Sequence, residues 1–221
     1  MITQCENTDA MLALLRGKRA GLVANHTAIT HNMKHQCDVL REHGVNIVAL
    51  FGPEHGFYGE MDDHVTSATD PRTGLPIHSL YGPQRKPTAD MLQDIDILIF
   101  SIQDIGSRFY TYISTMAHCL EAAAEYEIGF LVIDRPNPIT GVHVEGNISE
   151  TQSFVAVHPL PIRHGMTLGE LAAMFNDAAN KKADLAVARM SAWKRNLWFD
   201  ETDWPWVIKV DPIVKTNLRR I

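Results

Sequence analysis

The run IDILIFSI, Ile95 to Ile102, constrains the fold more than any other segment of this chain. Apolar side chains at nearly every position point to both sides of an extended strand, which suits an inner strand of a parallel sheet covered on both faces. Ile128 to Ile133, IGFLVI, repeats the pattern. Between them, Thr111 to Tyr126 sets Ile113, Met116, Ala117, Leu120 and Ala124 on one helical face. Upstream, Arg19 to Ala24 reads as a strand, Met33 to His43 as a helix, and Asn46 to Phe51 as a strand ended by Gly-Pro. Downstream, Thr167 to Ala179 reads as a helix opened by a capping box, Thr167 with Glu170, and Asp184 to Met190 as a last strand. The alternation predicts an α/β fold, a mainly parallel sheet flanked by helices.

At 221 residues the chain can bury one sizeable core and is too short for two full domains. A formal net charge of −6 with scattered Lys and Arg leaves no basic stripe, so nucleic acid is not an expected partner. The N-terminal residues lack the basic start and apolar core of a signal peptide, and no segment is long enough to span a bilayer. No membrane association is expected, and the chain as given is placed in the cytoplasm. Cys5, Cys37 and Cys119 share no ligand spacing and read as free thiols.

The residues that follow each strand carry the chemistry. Asn25 and His26 follow the first, and Pro53, Glu54, His55 and Gly56 the second. Gln103, Asp104 and then Arg108 follow IDILIFSI, and Asp134, Arg135, Pro136, Asn137 and Pro138 follow IGFLVI. In an open parallel sheet these ends lie along one edge, where ligands bind. The FGPEHGFYG run (Phe51 to Gly59) gives one acid, Glu54, and one imidazole, His55, among glycines that let the backbone approach a ligand. Glu54 is therefore a candidate catalytic acid or base.

GxGxxG and GxxxxGK[ST] are both missing, so no nucleotide cofactor is expected. Neither HExxH nor HxH occurs, and no metal is assigned, although His26, His55, Asp104 and His164 stay open as a site assembled in space. Ser101 and Ser107 lack a nucleophile elbow. What remains is carboxylate chemistry supported by imidazole, amide and guanidinium groups, as sugar-cleaving sites use.

The motifs GLVANHTA (Gly21 to Ala28), FGPEHGFYG, TGLPIHSLYG (Thr73 to Gly82), QDIGSRFYTY (Gln103 to Tyr112), DRPNPITG (Asp134 to Gly141) and PIRHGMTLGELA (Pro161 to Ala172) resemble, in order and spacing, those of the NamZ-type exo-β-N-acetylmuramidases. The resemblance runs from about Gly21 to about Trp206. It implies bacterial glycoside hydrolases that remove terminal N-acetylmuramic acid from the non-reducing ends of peptidoglycan fragments, so muropeptides or MurNAc-GlcNAc disaccharides are the implied partners. It also implies a Rossmann-like N-terminal domain and a smaller C-terminal one with the active site between them. On that reading residues 1–190 form the Rossmann-like domain and 191–221 only the beginning of the second. Members without a signal peptide act on internalised fragments, and others are exported.

By position, Glu54 matches the family's proposed catalytic acid. Asp104 is the foremost second carboxylate, with Glu60, Asp134 and Glu145 as competitors; alternatively Asp104 orients the sugar's 2-acetamido group, whose oxygen acts as internal nucleophile. Arg108, Arg135 and Arg163 are candidates for the lactyl carboxylate, Arg108 foremost. Tyr110 and Tyr112 are stacking candidates, of which one is expected in the core. Asp134 and Arg135 are equally read as a structural ion pair. Asn25, His26, Gln103, Asn137 and His164 complete the expected lining.

From Ile208 to Ile221 the chain reads as foreign to the family, where a proline- and asparagine-rich segment is expected, and a frameshift or premature stop is the favoured account. Trp193, Trp198, Trp204 and Trp206 would then lack a partner surface, and the chain would fold its Rossmann-like half without full activity. A non-catalytic muropeptide-binding remnant and a metal-dependent hydrolase are the alternatives.

Overall fold

The computed structural model describes residues 8–59 and 68–207. In chain order its elements are α1 (Thr8–Leu15), β1 (Arg19–Ala24), α2 (Gln36–Glu42), β2 (Asn46–Gly52), β3 (Ala68–Thr69), β4 (Pro76–Ser79), α3 (Ala89–Leu92), β5 (Ile97–Ser101), α4 (Tyr112–Glu125), β6 (Gly129–Ile133), β7 (Glu145–Ile148), β8 (Pro161–Arg163), α5 (Leu168–Ala178) and β9 (Asp184–Ala188). A short 3₁₀ turn, Phe199–Glu201, follows.

The main sheet runs β3-β4-β2-β1-β5-β6-β9, parallel throughout except for the antiparallel β3 at its edge. Taken in chain order, its parallel strands stand third, second, first, fourth, fifth and sixth, the order of doubly wound nucleotide-binding sheets. That order reverses between β1 and β5, so the chain leaves these two neighbours in opposite directions and opens a crevice at their carboxyl ends.

Alternate strand residues enter separate cores. Leu98 and Phe100 of β5 join Phe130 and Val132 of β6 under α4 and α5, whose Ile113, Met116, Leu171 and Phe175 complete that layer. Ile97 and Ile99 join Leu131 and Ile133 against α1 and α2, through Met11, Leu15, Cys37 and Leu40. The apolar run IDILIFSI is thus buried on both sides, as its pattern predicts.

The expected elements are present: β1 keeps its expected range, β2 runs one residue further, and the other expected strands and helices are shorter at their ends. α2 starts at Gln36 rather than Met33, because Met33 adopts φ 61° in a turn closed by its N–H on the Thr30 carbonyl, and the His35 ring caps Cys37 N–H. The Thr167–Glu170 capping box forms at the start of α5. The hairpin β7–β8 and the short β3, β4 and α3 lie outside the sequence expectations. Among the described residues no helix is long and apolar enough to cross a membrane.

Candidate active site

The edge of the crevice is built from three loops. After β1, the Asn25 Oδ1 accepts from Thr27 N–H at 2.9 Å and Thr27 Oγ1 at 2.6 Å, and Thr27 Oγ1 in turn accepts from Gln103 N–H at 3.0 Å. This chain pins the β1 and β5 loops together at the switch point. Gln103 Nε2 extends the lock by donating to the Asp104 and Pro136 carbonyls.

After β2, Pro53 and Glu54 enter a turn closed by Gly56 N–H on the Pro53 carbonyl. His55 sits at φ 68°, an uncommon conformation for a residue with a side chain, and so the loop is over-determined by its surroundings. Gly59, at φ 72°, comes so close to His26 that a Cβ there would lie 2.1 Å from its Nδ1. Only glycine fits, and the PEHG and NHT loops lie against each other because of it. Glu54 and His55 are half-buried. The Glu54 carboxylate accepts from Thr111 Oγ1 at 2.6 Å, at the N-cap of α4. It also hydrogen-bonds the Tyr81 hydroxyl, an interaction that raises the tyrosine's pKa.

After β5, Asp104 is buried, with Oδ2 accepting from Gly106 N–H at 2.7 Å and lying 3.4 Å from His164 Nε2. His164 is itself buried, and its Nδ1 accepts from Met166 N–H, so in the neutral ring the proton is on Nε2, facing Asp104. Tyr110 lies within the electrostatic reach of both carboxylates. Burial raises its pKa first, and the charges of both Asp104 and Glu54 push the same way. Its ring meets Tyr112 edge-on at 4.8 Å, and Tyr112 is the one of the pair sunk in the core.

The loop after β6 serves a different purpose. Asp134 does not pair with the Arg135 guanidinium. Its carboxylate accepts from Arg135 N–H, Gly169 N–H and Thr167 Oγ1, at the N-terminus of α5 where a negative group is favoured. Burial nevertheless lifts its pKa to about 6. The Arg135 guanidinium is sealed below the β1 loop, donating to the Thr27 and Ile29 carbonyls and Ser101 Oγ, and lies 4.8 Å over the Trp204 ring. Burial lowers its pKa to about 9, which leaves it charged at neutral pH. Asn137 spends its amide on Ile139 N–H and the Met166 carbonyl.

Arg108 Nη1 donates to the Asn147 and Leu160 carbonyls at 2.6 Å each, holding the β7–β8 hairpin. Arg163 pairs with Glu145 at 2.8 Å, out on that exposed hairpin, which removes Glu145 from the crevice. Glu60 lies outside the described residues. The structure therefore brings Asn25, His26, Glu54, Gln103, Asp104, Tyr110 and His164 to the switch-point edge, and uses Arg135, Asp134 and Asn137 as its supports.

Thr111 and Tyr81 hold Glu54, yet neither stood out from the sequence. Thr111 reads as a helix start and Tyr81 as a turn residue; the only available signal was their place inside motifs that follow strands. Among the described residues, no three His, Cys, Asp or Glu side chains gather as a metal-holding group, so His26, His55, Asp104 and His164 do not assemble one.

The tryptophans differ from expectation. Trp204 is buried beside Met190 and beneath Arg135, and Trp193 packs on the same small cluster. Trp198 and Trp206 are exposed, and with Ile105, Pro138 and Phe199 they line a groove of about 480 Å³.

The sequence matches the family described as "Exo-beta-N-acetylmuramidase NamZ, N-terminal" over residues 20–217. That match runs through most of the segment after Ile208, so the reading of this tail as foreign to the family is corrected. The chain is 50% identical over 199 residues to the peptidoglycan β-N-acetylmuramidase NamZ of Bacillus subtilis (strain 168), covering 88% of this chain and 48% of that protein. Two crystal structures of DUF1343 family proteins from Bacteroides fragilis NCTC 9343 share the fold. One has TM-score 0.86 and 44% identity, covering 92% of this chain and 53% of its own; the other has 0.78 and 39%, covering 89% and 54%. The chain spans about half the length of the relatives it matches.

Proposed function

Because the chain belongs to the NamZ exo-β-N-acetylmuramidase family, we propose that its switch-point crevice holds a terminal N-acetylmuramic acid of a peptidoglycan fragment and supplies the groups that cleave the bond behind it. The observation that carries the reading is the placing of two carboxylates, Glu54 after β2 and Asp104 after β5, on the ligand-binding edge of the sheet to either side of β1. Sugar hydrolysis needs a proton donor at the glycosidic oxygen and a second group that stabilises or attacks the anomeric carbon.

Glu54 is the proton donor in this reading. Its loop is fixed by the close approach of Gly59 to His26, and its carboxyl is held by Thr111 and Tyr81, which limits it to a narrow set of orientations. As the C1–O bond breaks, the proton moves from the Glu54 carboxyl to the leaving oxygen; a water then adds its hydroxyl at C1, and its remaining proton goes to the carboxylate pair and restores the donor. Asp104 is the second group, oriented by Gly106 N–H, with His164 Nε2 3.4 Å away. Tyr110 offers a ring face to the sugar. Of the three arginines, Arg108 is neither sealed in the core nor paired with a carboxylate among the described residues, and we assign it the lactyl carboxylate. Muropeptides and MurNAc-GlcNAc disaccharides are the substrates this arrangement suits.

The test is release of free N-acetylmuramic acid from MurNAc-GlcNAc carrying the muramic residue at its non-reducing end. Release from that end, with none from the isomer that exposes N-acetylglucosamine, is the expected result. Binding of the disaccharide without turnover would favour a muropeptide-binding protein instead, and neither binding nor turnover would sink the reading.

A further inference from the structure

We infer that Asp70 is a positioning residue for Glu54, acting through the Tyr58 hydroxyl to latch the far end of the PEHG loop; this deepens the function proposed above and rests on it. Glu54 and Tyr58 share one loop, with the turn closed by Gly56 N–H between them. Both are anchored from a single neighbouring segment. Tyr81, just beyond β4, hydrogen-bonds the Glu54 carboxylate, and Asp70, in the turn that joins β3 to β4, accepts from the Tyr58 hydroxyl. β4 itself pairs with β2, the strand from which the loop springs, so sheet register sets where both anchors stand. The segment from Asp70 to Tyr81 thus splints the loop at both ends.

Asp70 is 0% exposed, and its carboxylate accepts from Thr73 Oγ1, Arg72 N–H and the Tyr58 hydroxyl. Thr73 and Arg72 belong to its own turn, which is also closed by Asp70 N–H on the Leu75 carbonyl and Gly74 N–H on the Asp70 carbonyl. Tyr58 is the donor that comes from another loop. Burial opposes the Asp70 charge, but the three hydrogen bonds outweigh it, so its pKa lies below the ordinary 3.8 and the group is an anion at neutral pH. The Tyr58 hydroxyl is pushed up to about 12, by burial first and then by the Asp70 charge, so it stays protonated and donates. Its ring is flanked as well: the Arg72 guanidinium lies 5.7 Å over it and the His35 ring 6.1 Å away. Arg72 in turn pairs with Asp38 of α2 at 2.8 Å, and His35 caps that helix. The neighbouring Phe57 is buried in the core beside α2 and fixes how deep the loop sits, but apolar burial has no direction. A hydrogen bond to a carboxylate adds one. The Asp70–Tyr58 bond therefore sets the turn of the loop about its buried ring, and with it the place of the Glu54 carboxyl, where a displacement of about 1 Å can cost on the order of 10²-fold in rate.

Amide hydrogen exchange and turnover, measured on the same proteins, test the latch. Tyr58→Phe removes only the hydroxyl, and Asp70→Asn removes the charge while keeping an oxygen for Arg72 N–H and Thr73 Oγ1. Each should speed exchange of the Gly56 amide on the order of tenfold while the Leu171 amide in α5 keeps its rate, which separates local release of the loop from general destabilisation. Each should also lower kcat for N-acetylmuramic acid release about three- to tenfold with KM kept. Because both variants break the same contact, the double variant should be no worse than the more affected single one. Unchanged Gly56 exchange in both variants, faster exchange with kcat intact, or effects that add in the double variant would overturn the inference. If the unmodified chain shows no turnover, the function proposed above fails and the positioning role with it, while the latch itself still stands or falls on the exchange rates.

Discussion

The loops after β1, β2 and β5 and the loop after β6 use the same residue types, acids, amides and basic groups, yet they do opposite things with them. After β6, Asp134, Arg135 and Asn137 direct their polar atoms inward, to the start of α5, the β1 loop and the Met166 carbonyl. After β1, β2 and β5, the polar groups stand along the carboxyl edge of the sheet, with Glu54 half-buried and its carboxylate held by Thr111. The difference teaches that a polar strand end marks a site where its groups are held along the crevice edge; where they are directed into neighbouring loops and helix starts, the same residue types are scaffold.

The contrast can be broken most forcibly from the scaffold side. Trp204→Ala removes the ring under Arg135 and opens the small cluster around Met190, and should cost about 3–5 kcal/mol in chemical denaturation. A cost below about 1 kcal/mol would mean that this cluster adds little to the domain. Arg135→Met leaves the Thr27 and Ile29 carbonyls and Ser101 Oγ without their donor, with an expected loss of about 3 kcal/mol and of several degrees in melting temperature.

A pH series sharpens the same comparison. The folded-state pKa of Asp134 is raised to about 6, above its ordinary 3.8, because burial disfavours the charge. Folding therefore favours the protonated carboxyl. The stabilisation is complete below about pH 4 and is lost as pH rises through about 6, up to roughly 2–3 kcal/mol. Asp134→Asn should flatten this part of the stability profile, and an unchanged slope would assign it to other groups. The smallest effect lies on the active side. Thr111→Val removes one hydrogen bond to Glu54 while α4 loses no side-chain cap, so kcat should fall several-fold, equivalent to about 1 kcal/mol, with KM kept.

Much of this division was legible in the sequence, but not all of it. The β1 range, Arg19–Ala24, and the capping box at Thr167 follow directly from apolar runs and local hydrogen-bonding chemistry. The polar residues after each strand gave the edge of the sheet and Glu54. β4 escaped because PIHS is four residues long with Pro76 at its start, and β7 because EGNI is exposed throughout and has no buried face to set a pattern. Which polar residues are spent was illegible for a deeper reason. Asp134 faces Gly169 across 35 positions of sequence, and Arg135 reaches Thr27 across 108, so their partners exist only after the sheet has formed. The tryptophans teach the same lesson, since Trp204 finds its cover in Arg135, a residue whose sequence context suggests a ligand contact.

The most direct test makes the same chemical change, carboxylate to amide, once in each region and measures N-acetylmuramic acid release alongside thermal melting. Glu54→Gln should lower the rate on the order of 10²–10⁴-fold with the melting temperature kept, and Asp134→Asn should keep the rate within about threefold while changing how stability depends on pH. A loss of release in well-folded Asp134→Asn comparable to that in Glu54→Gln, or turnover retained in Glu54→Gln, would contradict the division between a working edge and its scaffold.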